Sequence, residues 1–179
     1  PVGKRDYLIL LLASRLGMRA SDITNLQFSN LCWEENLIKF IQVKTGVPVE
    51  LPLLPEIGNA IIDYLKYGRA ESTQSYVLLK TFAPYEPFHV TSVYNVVTQY
   101  FKKAGIDTAG RRHGSHSLRH SLASRMLEGQ AVMPVISEVL GHTDTDSTMF
   151  YLRVDVSSLS VCPLEVPTVN EMFYNQFNW

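Results

Sequence analysis

The sequence predicts a mainly helical domain with one small three-stranded antiparallel sheet, an α+β fold. Three observations carry this expectation. Apolar residues recur at helical spacing in several stretches, most of them ended by glycine. Between Phe28 and Leu54 the pattern changes to short runs rich in β-branched and aromatic residues. Helical spacing then returns and continues to about Leu152.

Taken in order, Lys4 to Leu16 places Tyr7, Leu8, Leu11 and Leu12 on one stripe, and Gly17 stands where a C-terminal cap belongs. Ser21 is a candidate N-cap for a short helix through Leu26. Leu31 to Glu34, Leu37 to Val43 and Val47 to Leu53 read as strands, with Glu35-Asn36 and Thr45-Gly46 as the turns. Pro55 suits the first position of the next helix, whose buried stripe is Ile57, Ala60, Ile61, Tyr64 and Leu65, with Gly68 as its end. Tyr76 to Lys80 is a short apolar run, strand or extended. Ser92 to Ala104 is helical with Val93, Val96, Val97, Tyr100 and Phe101 inward and Gly105 as stop. Ile106 to Ser115 is a loop, and Ser117 is a candidate cap for a helix to about Glu128. Pro134 opens another helix that stops at Gly141, and a short helix from about Thr145 to Leu152 follows.

The 179 residues suffice for one domain with a substantial core, and 46% hydrophobic with 18% charged residues is ordinary for a globular fold. No apolar run approaches the roughly 20 residues that span a bilayer, and Tyr7 to Ala13 lacks the flanks of a secretory signal. No membrane association and a cytoplasmic location are therefore expected. Cys32 and Cys162 form no CxxC pair, which fits a reducing compartment. The net charge of −1 points to no partner, but its distribution is uneven. From Gln99 to Leu127 stand Lys102, Lys103, Arg111, Arg112, Arg119 and Arg125 against the single acid Asp107, whereas Val154 to Trp179 holds no Lys or Arg. One face can meet a polyanion.

Four short segments concentrate the polar chemistry. They are Gly17-Met18-Arg19-Ala20-Ser21-Asp22, Val43-Lys44-Thr45-Gly46, His116-Ser117-Leu118-Arg119-His120, and Leu140-Gly141-His142 with Tyr151 nine residues later. Singly, each has a plain structural reading. Arg19 suits a helix C-terminus, Lys44 a solvated strand end, His142 a helix cap, and Tyr151 is one of nine tyrosines.

Together and in this order, the segments resemble the signature of tyrosine site-specific recombinases of the phage-integrase type. The resemblance runs from about Lys4 to Asp155. It implies the tyrosine recombinase catalytic-domain fold and a catalytic set of Arg19, Lys44, His116, Arg119, His142 and Tyr151. Asp22 stands where many relatives have glutamate, and Met18 where leucine is common; an acid at position 22 is expected to orient Arg19. The resemblance also implies a 3′-phosphotyrosine intermediate, no cofactor and no need for ATP or metal. It further implies double-stranded DNA as partner, a homotetramer on DNA, and an N-terminal DNA-binding domain absent from this chain. On that reading residues 1–155 form the catalytic domain. Residues 156–179, with Val166, Val169, Met172, Phe173, Phe177 and Trp179, form a tail that docks on a neighbouring protomer, and the isolated domain is a monomer.

The chemistry of the residue types agrees. Phosphodiester cleavage builds charge on the non-bridging oxygens, and a guanidinium donates two parallel hydrogen bonds to such oxygens while staying protonated. A phenol with a pKa near ~10 needs a base and nearby cations. His116 is the candidate base, and it shares a helix face with Arg119 three positions on. His142 is the candidate donor to a non-bridging oxygen, and Lys44 the candidate acid for the departing 5′-oxygen. Lys102, Lys103, Arg111 and Arg112 are candidate DNA contacts. His120 follows His116 by one turn, but Ser117 stands where a zinc metalloprotease needs glutamate, so His120 is expected to support the site by hydrogen bonding. A type IB topoisomerase and a non-catalytic DNA-binding relic of an integrase are the rival readings.

Overall fold

The computed structural model describes residues 2–111 and 113–141. Within them α1 (Val2–Arg15) leads to the short α2 (Ala20–Thr24). Strands β1 (Leu31–Cys32), β2 (Leu37–Ile41) and β3 (Pro48–Pro52) follow, and then α3 (Pro55–Tyr67), α4 (Val90–Lys103), α5 (Ser115–Glu128) and α6 (Met133–Leu140). The expected short helix at about 145–152 and the tail 156–179 lie outside the described residues. No helix among the described residues is long and apolar enough to cross a membrane.

The sheet is a meander of order β1-β2-β3 with both pairs antiparallel. Its register sets Ile38 opposite Leu51 and Phe40 opposite Val49, while Lys39 faces Glu50 on the other side. Ile38, Val49 and Leu51 are buried, so one face of the sheet closes on the helices and the other meets water. The main core joins Leu8, Ile9 and Leu12 of α1, Ile57 and Ile61 of α3, Val93 and Val96 of α4 and the inner face of the sheet. A smaller cluster of Ala123, Ile136 and Leu140 fixes α6 to α5.

Element types match expectation, and several ends do not. β1 stops at Cys32 because the turn begins earlier, at Trp33, whose carbonyl accepts from Asn36 N at 3.3 Å. β2 stops at Ile41 because only one more amide bonds across the hairpin before the chain turns away. Gln42 N closes the hairpin on Val47 O at 2.9 Å, and Val43 N donates to Asp22 Oδ1 at 2.9 Å. The hairpin loop is thus Val43 to Gly46 rather than the two-residue Thr45-Gly46 turn. Gly46 takes a φ of 69° and donates its amide to Gln42 O. Helix α4 begins at Val90, not Ser92, because His89 Nδ1 accepts the amide of Thr91.

Two helix starts bear on function. Ser21 does not cap α2; Arg19 stands at the N-cap, its carbonyl accepting from Asp22 N and Ile23 N at 2.9 Å each. Ser117 does not cap α5; that helix starts from Gly114, and the Ser117 hydroxyl donates back to Gly114 O at 2.7 Å. Gly114 has a φ of 122°, and a Cβ there would meet the Tyr94 ring at 2.7 Å, so only glycine fits.

Gly17 closes the gap between α1 and α2 with a φ of 62°. A Cβ there would lie 2.9 Å from Leu122 Cδ2 and 3.0 Å from Leu140 Cδ2. Gly17→Ala is therefore expected to destabilise the fold by about 2–4 kcal/mol, combining left-handed strain with overpacking. A shift in the urea midpoint at unchanged slope measures it; a midpoint within error of the native one would contradict the packing described.

Candidate active site

Helix α5 carries Arg119 in its second turn, and its guanidinium is buried at 6% exposure. Arg119 Nη1 donates to Gly17 O at 2.6 Å, and Nη2 donates to Leu140 O. Arg19 approaches from the opposite side. Because its carbonyl alone holds α2, its side chain is available elsewhere: Nη1 donates to Gln42 Oε1 and Nη2 to Gly141 O at 3.5 Å. The two guanidinium groups thus converge on consecutive carbonyls at the C-terminus of α6. Helix ends leave such carbonyls without partners and negatively polarised, so cations settle there favourably.

Gly141 has a φ of 58° and immediately precedes His142. His142, Tyr151 and Arg112 lie outside the described residues.

Lys44 is exposed in the hairpin loop, two residues beyond Gln42. The loop is tied to the arginine cluster by Gln42, whose Oε1 also accepts from Thr45 Oγ1 at 2.8 Å. Asp22 is tied to the same loop through Val43 N. Burial raises the Asp22 carboxyl above its usual value of 3.8, against the lowering effect of the Val43 amide and the charges of Arg19 and Arg119. Its Oδ2 has no hydrogen-bond partner among the described residues. Between 3.8 and that raised value the folded chain holds a proton that the unfolded chain has released. Stability then falls as pH rises through this window. Asp22→Asn keeps an acceptor for Val43 and removes that slope, so thermal melts across the window are expected to flatten; an unchanged profile would contradict the burial of a titrating carboxyl.

His116 and Arg119 share α5 but not a surface. His116 is exposed in the first turn and lines a pocket of about 670 Å³ with Tyr94, Arg111, His113, Ser117 and His120. Arg119 points inward to the carbonyls. The face-sharing expected from their spacing is thus replaced by the pairing of His116 with His120 at the pocket. Lys102 and Lys103 stand exposed in the last turn of α4, Lys103 over the Tyr100 ring at 4.8 Å, and neither lines the pocket.

Three residues of this region carry no signal in the motif pattern. Tyr94 Oη and His113 Nε2 share a hydrogen bond of 2.9 Å, and His113 Nδ1 lies 3.1 Å from Arg111 O. A carbonyl only accepts, so Nδ1–H donates to it. The pair braces the basic loop beside the pocket. Gln42 is the third, and strand parity could have found it. Ile38, Phe40 and Gln42 share one face of the chain, so the glutamine sits in phase with the inward residues, while Ile41 and Val43 point out at 69% and 59% exposure.

Known proteins are similar to this chain in sequence. The chain is 37% identical over 168 residues to a Sinorhizobium fredii protein provisionally named integrase/recombinase y4rA, covering 93% of this chain and 40% of that one. It is 32% identical over 159 residues to tyrosine recombinase XerA of Pyrococcus furiosus, covering 87% of this chain and 52% of the relative. The chain thus spans about half, or less, of the length of these relatives. Among solved structures, XerH site-specific recombinase bound to palindromic difH substrate, in a post-cleavage complex, matches with a TM-score of 0.73. That match covers 87% of this chain and 44% of the other at 19% identity, a likeness of fold. Residues 1–158 match the model of the phage integrase family, and the chain belongs to that family.

Proposed function

We propose that this chain is the catalytic domain of a site-specific recombinase that cuts and rejoins double-stranded DNA through a 3′-phosphotyrosyl bond to Tyr151. The observation that carries this reading is the convergence of Arg19 and Arg119 on the turn leading into His142, with the Lys44 hairpin fastened to the same point. A pair of preorganised cations from distant parts of the chain suits the charge that develops on a phosphodiester in transit.

In this mechanism the Tyr151 oxygen attacks phosphorus and its proton passes to His116. The bond to the 5′-oxygen breaks, and Lys44 protonates that oxygen. Arg19, Arg119 and His142 stabilise the non-bridging oxygens. The phosphotyrosyl ester conserves the energy of the broken bond, so attack by a 5′-hydroxyl reverses the step without ATP. Arg111, Arg112, Lys102 and Lys103 contact flanking phosphates, and a homotetramer assembled on DNA brings together the strands to be exchanged.

The test uses nicked duplexes tiled across the DNA flanking the gene, at low salt where phosphate contacts are strongest. Loss of the short fragment beyond the nick traps the covalent complex, which denaturing gels resolve. An adduct at a preferred position is expected; no adduct on any duplex overturns the proposal, and relaxation of plasmid without site preference replaces it with a topoisomerase. Lys44→Ala is expected to slow cleavage by about 10²–10⁴-fold, as loss of an acid does. Replacing the 5′-bridging oxygen with sulfur, which leaves without protonation, restores most of that rate. A Lys44→Ala enzyme equally slow on both substrates contradicts the acid role.

A further inference from the structure

We propose that Gln42 is a positioning residue that locks Arg19 and the Lys44 hairpin onto the C-terminus of α6, so that both cations act as one unit. The inference rests on the recombinase reading above.

Gln42 is 2% exposed, among the most buried polar side chains described. Its carboxamide is used at both ends. Oε1 accepts from Arg19 Nη1 and from Thr45 Oγ1, and Nε2 donates to Leu140 O at 3.1 Å across 98 positions of sequence. The orientation is fixed by these partners: a flipped amide would set its NH₂ against the Arg19 donors and its oxygen against a carbonyl. Leu140 O also accepts from Arg119 Nη2, so one carbonyl receives a donor from each side of the cluster.

The surroundings are shaped to this side chain. A Cβ on Gly141 would lie 2.6 Å from Gln42 Cδ and 2.7 Å from Oε1, so the amide packs directly on the glycine backbone. Thr45 is the residue after Lys44, and its hydroxyl closes the loop on Gln42. Only a carboxamide supplies this combination, and asparagine is one methylene shorter. Glutamate accepts at both oxygens but donates to no carbonyl, and methionine fills the space with neither function. The structure thus links Arg19, the lysine loop and the turn before His142 through a single amide.

Gln42→Met, Gln42→Glu and the core variant Ile61→Ala, which is remote in role and fully buried on α3, are compared with the native chain on the trapping duplexes. Gln42→Met is expected to keep its affinity for uncleaved duplex within about threefold and to lose about 10²-fold in single-turnover cleavage, the effect of displacing reacting groups by about 1 Å. Sulfur at the 5′ position is expected to recover only the part of the loss that belongs to Lys44, leaving the part that belongs to Arg19. Gln42→Glu, which keeps the acceptors for Arg19 and Thr45, falls between the two. Ile61→Ala, tested at a temperature where its folded fraction equals that of Gln42→Met, cleaves at the native rate.

Native cleavage by Gln42→Met, or a loss equal to that of Ile61→Ala, overturns the role of Gln42 while leaving the recombinase reading in place. A native chain that forms no adduct overturns both.

Discussion

Tyr151→Phe is expected to bind duplex DNA as the native chain does and to form no covalent adduct. The substitution removes one oxygen and leaves the ring, so charge and most of the side-chain volume are kept while the proposed nucleophilic oxygen is gone. Removal of the group that forms the covalent bond typically lowers rate by about 10⁴-fold or more, because binding and transition-state stabilisation cannot replace it. Tyr94 is the internal control. It is 47% exposed and lines the pocket with His116, so it is the tyrosine of the described region most open to the same chemistry. Its hydroxyl, however, is committed to His113 Nε2 at 2.9 Å. Trapping assays with each single variant separate the two: loss in Tyr151→Phe and retention in Tyr94→Phe support the assignment, and the reverse pattern refutes it.

Arg119→Ala carries the second large effect, and it acts on stability and catalysis together. The guanidinium is buried and serves Gly17 O and Leu140 O, two carbonyls that the variant leaves without these donors. Leu140 O keeps the Gln42 Nε2 donor, so the main cost is the unsatisfied Gly17 carbonyl, and a loss of about 1–3 kcal/mol is expected. Where the variant is still folded, loss of the proposed donor to the phosphate is expected to lower cleavage by about 10²–10³-fold. Arg119→Lys retains charge but not the planar fork, and an ammonium cannot span carbonyls that come from α1–α2 and α6. It is therefore expected to recover little of either effect. Denaturant melts give the first quantity and single-turnover trapping the second; full activity in Arg119→Lys would show that charge alone suffices.

Much of this architecture is legible from residue spacing. The helical stripes of α1, α3 and α4 and the change to short β-branched runs fix the element types, since periodicity reports which face is buried. Element ends are less legible because distant partners decide them. Nothing near Ser21 indicates that Arg19 stands at the N-cap, and nothing near Ser117 indicates that the Tyr94 ring seats a glycine at position 114. Adjacent charges on a helix usually read as solvated, yet Arg5 and Asp6 are buried as a 2.8 Å ion pair with Arg5 4.4 Å from the Phe88 ring centroid. The candidate catalytic residues are recognisable by type and order, but not their meeting point. Arg19 reaches a carbonyl 122 positions away, and Arg119 one 102 positions away, distances that no local pattern encodes.

In the proposed mechanism DNA becomes joined covalently to Tyr151. Its most direct measurement is to trap the native adduct on a nicked duplex, digest the protein, and identify by mass spectrometry the residue that retains the 3′-nucleotide. A single modified residue, Tyr151, in a peptide from the segment following His142, is the expected result. Modification of Tyr94, of any other tyrosine, or of a serine or histidine would contradict it.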